Sequence, residues 1–174
     1  PMHTFGHPCR ISEIRDICEK YGAKLVEDCA ESLGSFYNGI HTGNWSEGAS
    51  LSFNGNKIIT TGGGGMLLFN DSKLADRAKH LTTQAKIPHR WEFRHSECGY
   101  NYRMPNINAA LGMAQFEKLP ALLAKKRELA DKYRKFFGGR FVDEPKNARS
   151  NFWLQAVLLD DRKQRDEFLA YTND

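Results

Sequence analysis

The sequence predicts an α/β fold, and three observations support that prediction. Residues 12–21 have apolar side chains at helical spacing and are followed by Gly22, a residue that commonly ends helices. A short apolar strand follows at 23–26 and ends in the acidic pair Glu27-Asp28. A helix, a glycine turn, a strand and a terminal acid in this order are typical of a parallel sheet. The 174 residues are 40% hydrophobic and 26% charged, an ordinary globular composition.

The first helix and strand also place an acid where ligands gather. Ser12 is predicted to cap the helix, whose apolar face includes Ile14 and Cys18. In open α/β sheets, ligands bind at the carboxyl ends of the strands. Asp28 is therefore in a position suited to chemistry.

The later part of the sequence is predicted to contain further strands and helices. Residues 83–105 have no clear period, and long irregular segments in compact domains are usually functional. Pro120 is predicted to separate two helices. The remaining predictions are strands at 49–54 and 64–69 joined by a loop at 55–63, a helix at 72–82, helices at 106–118 and 120–137, a strand at 151–159 and a helix at 162–172.

The net charge of +4 raises the alternative of a nucleic-acid-binding protein. Residues 118–140 contain eight basic side chains against Glu128 and Asp131, so that this segment alone is +6 and the remainder is −2. One long helix with a solvated basic face explains this distribution. We expect no exposed aromatic residues interleaved with the basic ones, and no base-reading motif accompanies the segment. We therefore expect no nucleic-acid partner.

Metal, disulfide and membrane chemistry are not expected either. The cysteines at positions 9, 18, 29 and 98 form no C-x-x-C pair, which favours reduced thiols in the cytoplasm. His3, His7 and Cys9 are close in sequence, but Gly6 and Pro8 interrupt any spacing that would aim them at one ion. No apolar run reaches the 18 or more residues that a membrane span needs.

Both ends of the sequence suggest an internal fragment of a longer protein. The chain begins at Pro1 without an initiator methionine and quickly enters a strand-to-helix connection. It stops at Asp174, just after an amphipathic stretch with no helix stop signal.

Three local features point to a lysine-based site. They are Asp28 at a strand end, Lys57 five residues after Ser52 at another strand end, and the glycine run within residues 60–65. Burial disfavours the charged form of a lysine and frees its lone pair to form a Schiff base with a carbonyl. A neighbouring aspartate can keep a pyridine nitrogen protonated, as a pyridoxal phosphate (PLP) site requires.

The same residues have simpler interpretations when spacing alone is considered. Asp28 fits a helix cap, Lys57 fits a solvated loop residue, and the glycines fit a flexible turn. Spacing therefore gives only a weak preference for a lysine-based site.

Three stretches resemble, in order, the DegT/DnrJ/StrS family of nucleotide-sugar aminotransferases, and the similarity runs over nearly the whole chain. They are VEDCAESLGS at 26–35, SFNGNKIITTGGGGM at 52–66 and GYNYRMPNINAALGMAQFEKL at 99–119. The resemblance implies a PLP enzyme with the aspartate-aminotransferase-like fold (fold type I). It implies part of the large domain over residues 1–118, a connecting helix over 119–140, and the start of a small C-terminal α/β domain over 141–174.

The resemblance also implies a role for each matching residue. Lys57 matches the lysine that forms the Schiff base and moves the proton, and Asp28 matches the carboxylate that pairs with the pyridine nitrogen. Ser52 matches a hydroxyl that binds the cofactor phosphate. Asn101 matches an asparagine that reaches the phosphate from the partner subunit, and Arg103 matches an arginine near that interface. A homodimer with a shared active site is therefore expected.

Glu31 departs from the family pattern, in which many members have Gln or His three residues after the aspartate. The Glu31-Ser32 pair and the stretch SNFWLQAVLLD at 150–160 are similar to a branch that aminates UDP-linked 4-keto-N-acetyl sugars of the bacillosamine or legionaminic type. A negative side chain near the cofactor ring would affect substrate choice or cofactor electronics. Glu31 is therefore a candidate for both cofactor and substrate binding.

The expected reaction transfers an amino group from an amino acid, glutamate being the expected donor, to a nucleotide-linked keto-sugar. The product would serve amino-sugar or cell-surface polysaccharide synthesis. Related sugar dehydratases replace the lysine with histidine, so Lys57 favours transamination. The isolated chain is expected to be inactive, because the resemblance places a phosphate-binding loop and a ring-stacking aromatic before His3. A non-catalytic or regulatory relative of the same fold is the remaining alternative.

Overall fold

A computed structural model describes residues 1–173, and it combines helices and strands as the predicted α/β fold requires. Asp174, the last residue of the predicted small domain, lies outside the described residues. The helices are α1 (Ile11–Tyr21), α2 (Ser72–Thr82), α3 (Asn106–Glu117), α4 (Leu119–Phe137) and α5 (Arg162–Asn173). The strands are β1 (Val26–Asp28), β2 (Phe36–Tyr37), β3 (Ile40–His41), β4 (Gly48–Ser52), β5 (Gly65–Phe69) and β6 (Ala148–Arg149).

The sheet that positions the candidate site has the order β1-β4-β5. β1 and β4 are parallel, as predicted, and Asp28 lies opposite Ser50. β5 returns antiparallel to β4, with Gly65 opposite Ser52. Side chains two residues apart on a strand share a face, so Asp28, Ser50 and Ser52 project from the same side of the sheet near its carboxyl edge.

The two faces of this sheet differ in burial. Ala49 and Leu51 alternate with the serines of β4 and are buried in a core cluster that also contains Cys29, Phe53, Ile59 and Leu119. Val26 and Leu67 lie on the opposite face and are more than half exposed. Asp28 and Ser52 therefore belong to the open face, while the closed face anchors them.

The boundaries of several elements agree with their sequence signals. Gly22 adopts the left-handed conformation that ends α1. Asp71 accepts a hydrogen bond from Lys73 N–H and so caps α2. Pro120 lies in the first turn of α4, where its missing N–H is not needed. The Ser12 cap was predicted wrongly, because α1 already begins at Ile11 and makes no side-chain cap bond.

The predicted strand at 151–159 is wrong. Phe152 has φ = 48°, which no extended strand allows, and the only pairing here among residues 1–173 is a bridge between Phe141 and Val157. Ser150 and Asn151 are buried and bond to the loops beside β1 instead. A second small sheet of order β3-β2-β6 was not predicted, because its strands are only two residues long.

β6 of the predicted small domain pairs with β2 of the predicted large domain. The division into residues 1–118, 119–140 and 141–174 stays a prediction.

The three arginines of segment 118–140 are engaged in ion pairs. Arg127 is bidentate on Glu144 at 2.9 Å, and Arg134 bonds both Asp131 and Asp143. Arg140 reaches Asp160 at 2.7 Å. The contacts with Asp143, Glu144 and Asp160 attach this segment to the chain that follows it, which favours a structural role for the three arginines.

α3 is unusual because most of its residues are apolar and are not confined to one face, yet none of them is buried. Ile107 is 86% exposed and Met113 is 67% exposed. A helix of this composition is normally covered on all sides. None of the helices within residues 1–173 combines the length and apolarity needed to cross a membrane.

Candidate active site

Lys57 lies in the loop between β4 and β5, and its side chain is mostly enclosed. The loop is closed by hydrogen bonds from Phe53 N–H to Gly64 O and from Thr61 N–H to Phe53 O. The Lys57 side chain is only 14% exposed, and Nζ lies 3.9 Å from Glu31 Oε1. Nζ also lies 3.9 Å from the ring centroid of Trp153. The interpretation of Lys57 as a solvated loop residue is therefore wrong.

A small cavity of about 10 Å³ brings three of the sequence-predicted site residues together. Glu31, Ser52 and Lys57 all line it. The other lining residues are Ala30, Leu33, Ile58, Ile59 and Trp153. An amine, a carboxylate and a hydroxyl therefore meet at the carboxyl end of β4.

Asp28 lies at the end of β1, on the same side of the sheet as Ser52. One of its oxygens, Oδ1, accepts a hydrogen bond from Ala30 N–H at 3.0 Å. The residue is exposed and a turn follows it, so its interpretation as a helix cap is wrong. The carboxylate is fixed by the turn but presents its charge to the open face.

Ser52 ends β4, and its hydroxyl is only partly engaged. Oγ accepts a hydrogen bond from Asn54 N–H at 3.3 Å. This contact leaves the hydroxyl proton available to an anionic group on the open face.

Glu27, the neighbour of Asp28, points to the other side of the sheet and is fully buried. Oε1 accepts from Gly43 N–H at 2.8 Å, and Oε2 accepts from Trp45 N–H at 3.0 Å and from the Ser46 hydroxyl at 2.8 Å. His3 Nδ1 accepts from Cys9 N–H, so Nε2 carries the ring proton and donates it to Oε1 at 3.1 Å. The network fixes the strand that presents Asp28.

Burial opposes the ionisation of Glu27, but the hydrogen bonds from His3, Gly43, Ser46 and Trp45 outweigh it and lower the pKa of this carboxyl. Candidate ligand atoms of His3, Glu27 and Cys29 lie within 4.8 Å of one another, a spacing compatible with a metal ion. Both Glu27 oxygens and the His3 ring nitrogens are already engaged in hydrogen bonds. We therefore interpret this cluster as structural.

We expect Glu27→Ala to lower the free energy of unfolding by about 3–5 kcal/mol, because it leaves several buried donors without an acceptor. Denaturant unfolding measures this loss. Glu19→Ala on the exposed side of α1 is the control and should change stability by less than about 0.5 kcal/mol. Equal effects of the two substitutions would contradict the structural role.

The same contribution should depend on pH. The pKa of Glu27 lies below its ordinary value of 4.5 in the folded protein, so the stabilisation is present above about pH 4.5 and is lost as the pH falls toward the folded pKa. The stability difference between the wild type and Glu27→Ala should therefore shrink in acid. A constant difference between pH 7 and pH 3 would show that the charge is irrelevant.

Asn101 and Arg103 do not join the Lys57 cavity within one chain. Both are exposed, in the segment that pairs with the end of α2 through Thr83 and Asn101. Arg103 lines a separate groove of about 940 Å³ above the open face of the sheet, together with Ser50, Leu67 and Asn108.

Four residues that build the site were not predicted from the sequence. Trp153 contacts Lys57, Asn151 accepts a hydrogen bond from Trp153 N–H, and His3 and Glu27 form a buried pair beside Asp28. The signal for Trp153 was a tryptophan within the stretch 150–160, but the alternation of that stretch suggested a strand. No sequence signal identified the partners of Asn151.

A model of the DegT/DnrJ/EryC1/StrS aminotransferase family matches residues 1–174 of the chain. The chain belongs to this family. Family members are PLP-dependent sugar aminotransferases, and the resemblance and the aspartate-aminotransferase-like fold inferred from the sequence are confirmed.

The chain is similar to sugar-modifying enzymes of bacteria. GDP-perosamine synthase of Escherichia coli O157:H7 is 38% identical over 175 residues, covering 99% of this chain and 48% of that protein. A UDP-4-amino-4,6-dideoxy-N-acetyl-beta-L-altrosamine transaminase of Campylobacter jejuni serotype O:23/36 is 34% identical, covering 94% of this chain and 41% of that protein. The chain thus spans less than half the length of these relatives.

Solved structures give the same fold. The aminotransferase TlmJ from Streptoalloteichus hindustanus superposes with a TM-score of 0.88 at 30% identity. The match covers 95% of this chain and 46% of that structure.

The site residues fit a PLP cofactor chemically. An enclosed amine at Lys57 suits an aldehyde, an exposed carboxylate at Asp28 suits a protonated ring nitrogen, and the hydroxyl of Ser52 suits a phosphate. Ser52 and Lys57 line one cavity, and Asp28 ends the neighbouring strand on the side of the sheet from which Ser52 projects.

Proposed function

We propose that this chain carries the lysine side of a PLP-dependent active site that transfers an amino group from an amino acid to a nucleotide-linked keto-sugar. The observation that carries the proposal is the enclosed Lys57 amine at the sheet edge that also presents Asp28 and Ser52. Membership of the aminotransferase family supports the reaction class. Glutamate is the proposed donor.

When bound, PLP supplies an electron sink that stabilises negative charge at the carbon bearing the amino group. Lys57 would hold the cofactor through its amine, and the same amine would move a proton between carbon atoms of the substrate and of the cofactor. The charge of Asp28 would keep the ring nitrogen protonated, and Ser52 would bind the phosphate. Glu31, 3.9 Å from Lys57 Nζ, orients this amine and faces the incoming substrate.

We propose that a homodimer completes the site. Asn101 and Arg103 are exposed on a segment apart from the Lys57 cavity, an arrangement that suits residues serving the partner subunit. The apolar side chains of α3, such as Ile107 and Phe116, are exposed in one chain, which supports a partner subunit that covers them. Asn101 would bind the cofactor phosphate of the partner site, and Arg103 would lie near the substrate.

The substrate is proposed to be a UDP- or GDP-linked 4-keto-sugar. The stretch 150–160 favours the UDP branch, whereas the Escherichia coli relative is a GDP-perosamine synthase. Such a product would serve amino-sugar or surface-polysaccharide synthesis. We infer a cytoplasmic location, because the cysteines at 9, 18, 29 and 98 are free and suit a reducing compartment.

The test is to incubate the protein with PLP, reduce with borohydride and locate the adduct by peptide mass. We expect the adduct to concentrate at Lys57, because its amine is oriented and enclosed. Exposed Lys118 serves as the internal reference. The same labelling is done on this chain and on a form extended at its N-terminus. If the adduct is distributed evenly over Lys57 and the exposed lysines in both forms, the proposal is overturned.

A further inference from the structure

Trp153 makes two contacts that together restrain Lys57. The indole is 6% exposed, and its Nε1–H donates a hydrogen bond to Asn56 O at 2.7 Å. The face of the same indole lies 3.9 Å from Lys57 Nζ. One rigid side chain therefore touches the main chain just before Lys57 and the end of the Lys57 side chain.

We propose that Trp153 is a positioning residue that holds the amine of Lys57 in the orientation needed for cofactor attachment. This inference rests on the proposed function, because Lys57 needs a fixed orientation only if its amine attaches a cofactor. It assigns a role to a residue far from Lys57 in sequence.

The position of Trp153 is itself fixed by a buried amide. Asn151 Oδ1 accepts from Trp153 N–H at 2.8 Å, while Nδ2 donates to Glu31 O at 2.8 Å and to Leu33 O at 2.9 Å. One side chain thus links the segment that carries the indole to the segment that carries the Glu31 carboxylate. The two contacts of Lys57 cannot shift independently.

The approach of Asn151 depends on a glycine. Gly6 has φ = 91°, and a Cβ at this position would overlap Asn151 Oδ1. The hydroxyls of Ser35 and Ser150 both donate to Gly6 O, at 2.7 and 2.9 Å. The N-terminal segment therefore holds the amide in place from the other side.

Electrostatics makes the orientation specific. The negative face of an indole attracts an ammonium group, and the attraction strengthens where water is excluded. Glu31 Oε1 is the second partner of the amine, and Glu31 Oε2 is fixed by Phe5 N–H at 2.7 Å. The amine lies beside both partners and lines the cavity that Ser52 also lines.

The first experiment needs no cofactor. The purified protein is treated with trace acetic anhydride, and acetylation of Lys57 is measured by mass relative to exposed Lys118. We expect Trp153→Leu to raise this ratio about fivefold to tenfold, because the released amine gains access to solvent and loses its cation–π partner. Trp153→Phe keeps a ring face and should stay within about twofold of the wild type.

Trp45 provides the matched control. It is 7% exposed, packs with Ile11, Leu25 and Tyr37, and has a cation of its own, Arg15, 5.0 Å above its ring. Trp45→Leu therefore removes a comparable buried ring without touching Lys57, and it should leave the acetylation ratio unchanged. An unchanged ratio in Trp153→Leu, or an equal rise in Trp45→Leu, would overturn the positioning role.

The second experiment repeats the labelling with PLP and borohydride. We expect Trp153→Leu to reduce the fraction of adduct at Lys57 about tenfold, Trp153→Phe to restore most of it, and Trp45→Leu to leave it unchanged. If Trp153→Leu keeps the wild-type fraction, positioning for cofactor attachment is wrong. If PLP labelling of the wild type shows no preference for Lys57, the proposed function fails. The acetylation experiment then still decides whether Trp153 holds the Lys57 amine.

Discussion

Lys57→Ala should abolish transamination in the complete enzyme, lowering the rate by more than about a thousandfold. The substitution removes both the covalent attachment of the cofactor and the base that moves the proton, and positioned proton transfer alone contributes about a hundredfold to ten-thousandfold. The 14% exposed side chain contacts Glu31 and Trp153 and supplies the amine of the cavity that Ser52 also lines. The measurements are the transamination rate and the absorbance of the lysine-bound cofactor.

Lys57→Arg is the matched variant, because it keeps a cation beside Glu31 and Trp153 but cannot form a Schiff base. It should be folded and equally inactive. Lys125→Ala on α4 removes a lysine from the neighbouring groove and should keep most of the activity. Substantial turnover by either Lys57 variant would sink the assignment of Lys57.

The sequence was sufficient to predict those parts of the fold that depend on residues close to one another in the chain. Gly22 ends α1 where a left-handed residue is needed, and Asp71 caps α2 at its predicted start. Asp28 and Ser52 were placed correctly at strand ends because the carboxyl ends of these strands are encoded by short contiguous stretches. Their roles and that of Lys57 in the site stay predictions. The register that places Asp28 and Ser52 on one face follows from parallel pairing.

The predictions that were wrong concern segments whose structure depends on contacts with residues distant in sequence. Residues 150–153 resemble a strand in composition, but buried Ser150 and Asn151 find their partners at Gly6, Glu31 and Leu33, more than a hundred residues away. Tertiary hydrogen bonds of this kind override local strand propensity. The contact between Trp153 and Lys57 follows from that misassigned segment, so it was missed as well.

Asp28→Asn should lower the transamination rate of the complete enzyme by at least about a hundredfold and weaken PLP binding. Asparagine has no negative charge to keep the ring nitrogen protonated, and fixed charges of this kind are worth about a hundredfold to a thousandfold. The substitution retains Oδ1 as an acceptor for Ala30 N–H, so the turn after β1 should survive. The measurements are the rate and the PLP dissociation constant.

The choice of asparagine separates charge from structure at Asp28. If the residue served only the turn, Asp28→Asn would keep nearly full activity, whereas Asp28→Ala would lose stability and activity together. Asp76→Asn on the exposed surface of α2 removes the same charge elsewhere and should leave the rate unchanged. Glu27 and its buried network position β1, and they are the same in the wild type and in Asp28→Asn. A folded Asp28→Asn protein that has lost activity and binds PLP more weakly would therefore show that the carboxylate acts on the cofactor.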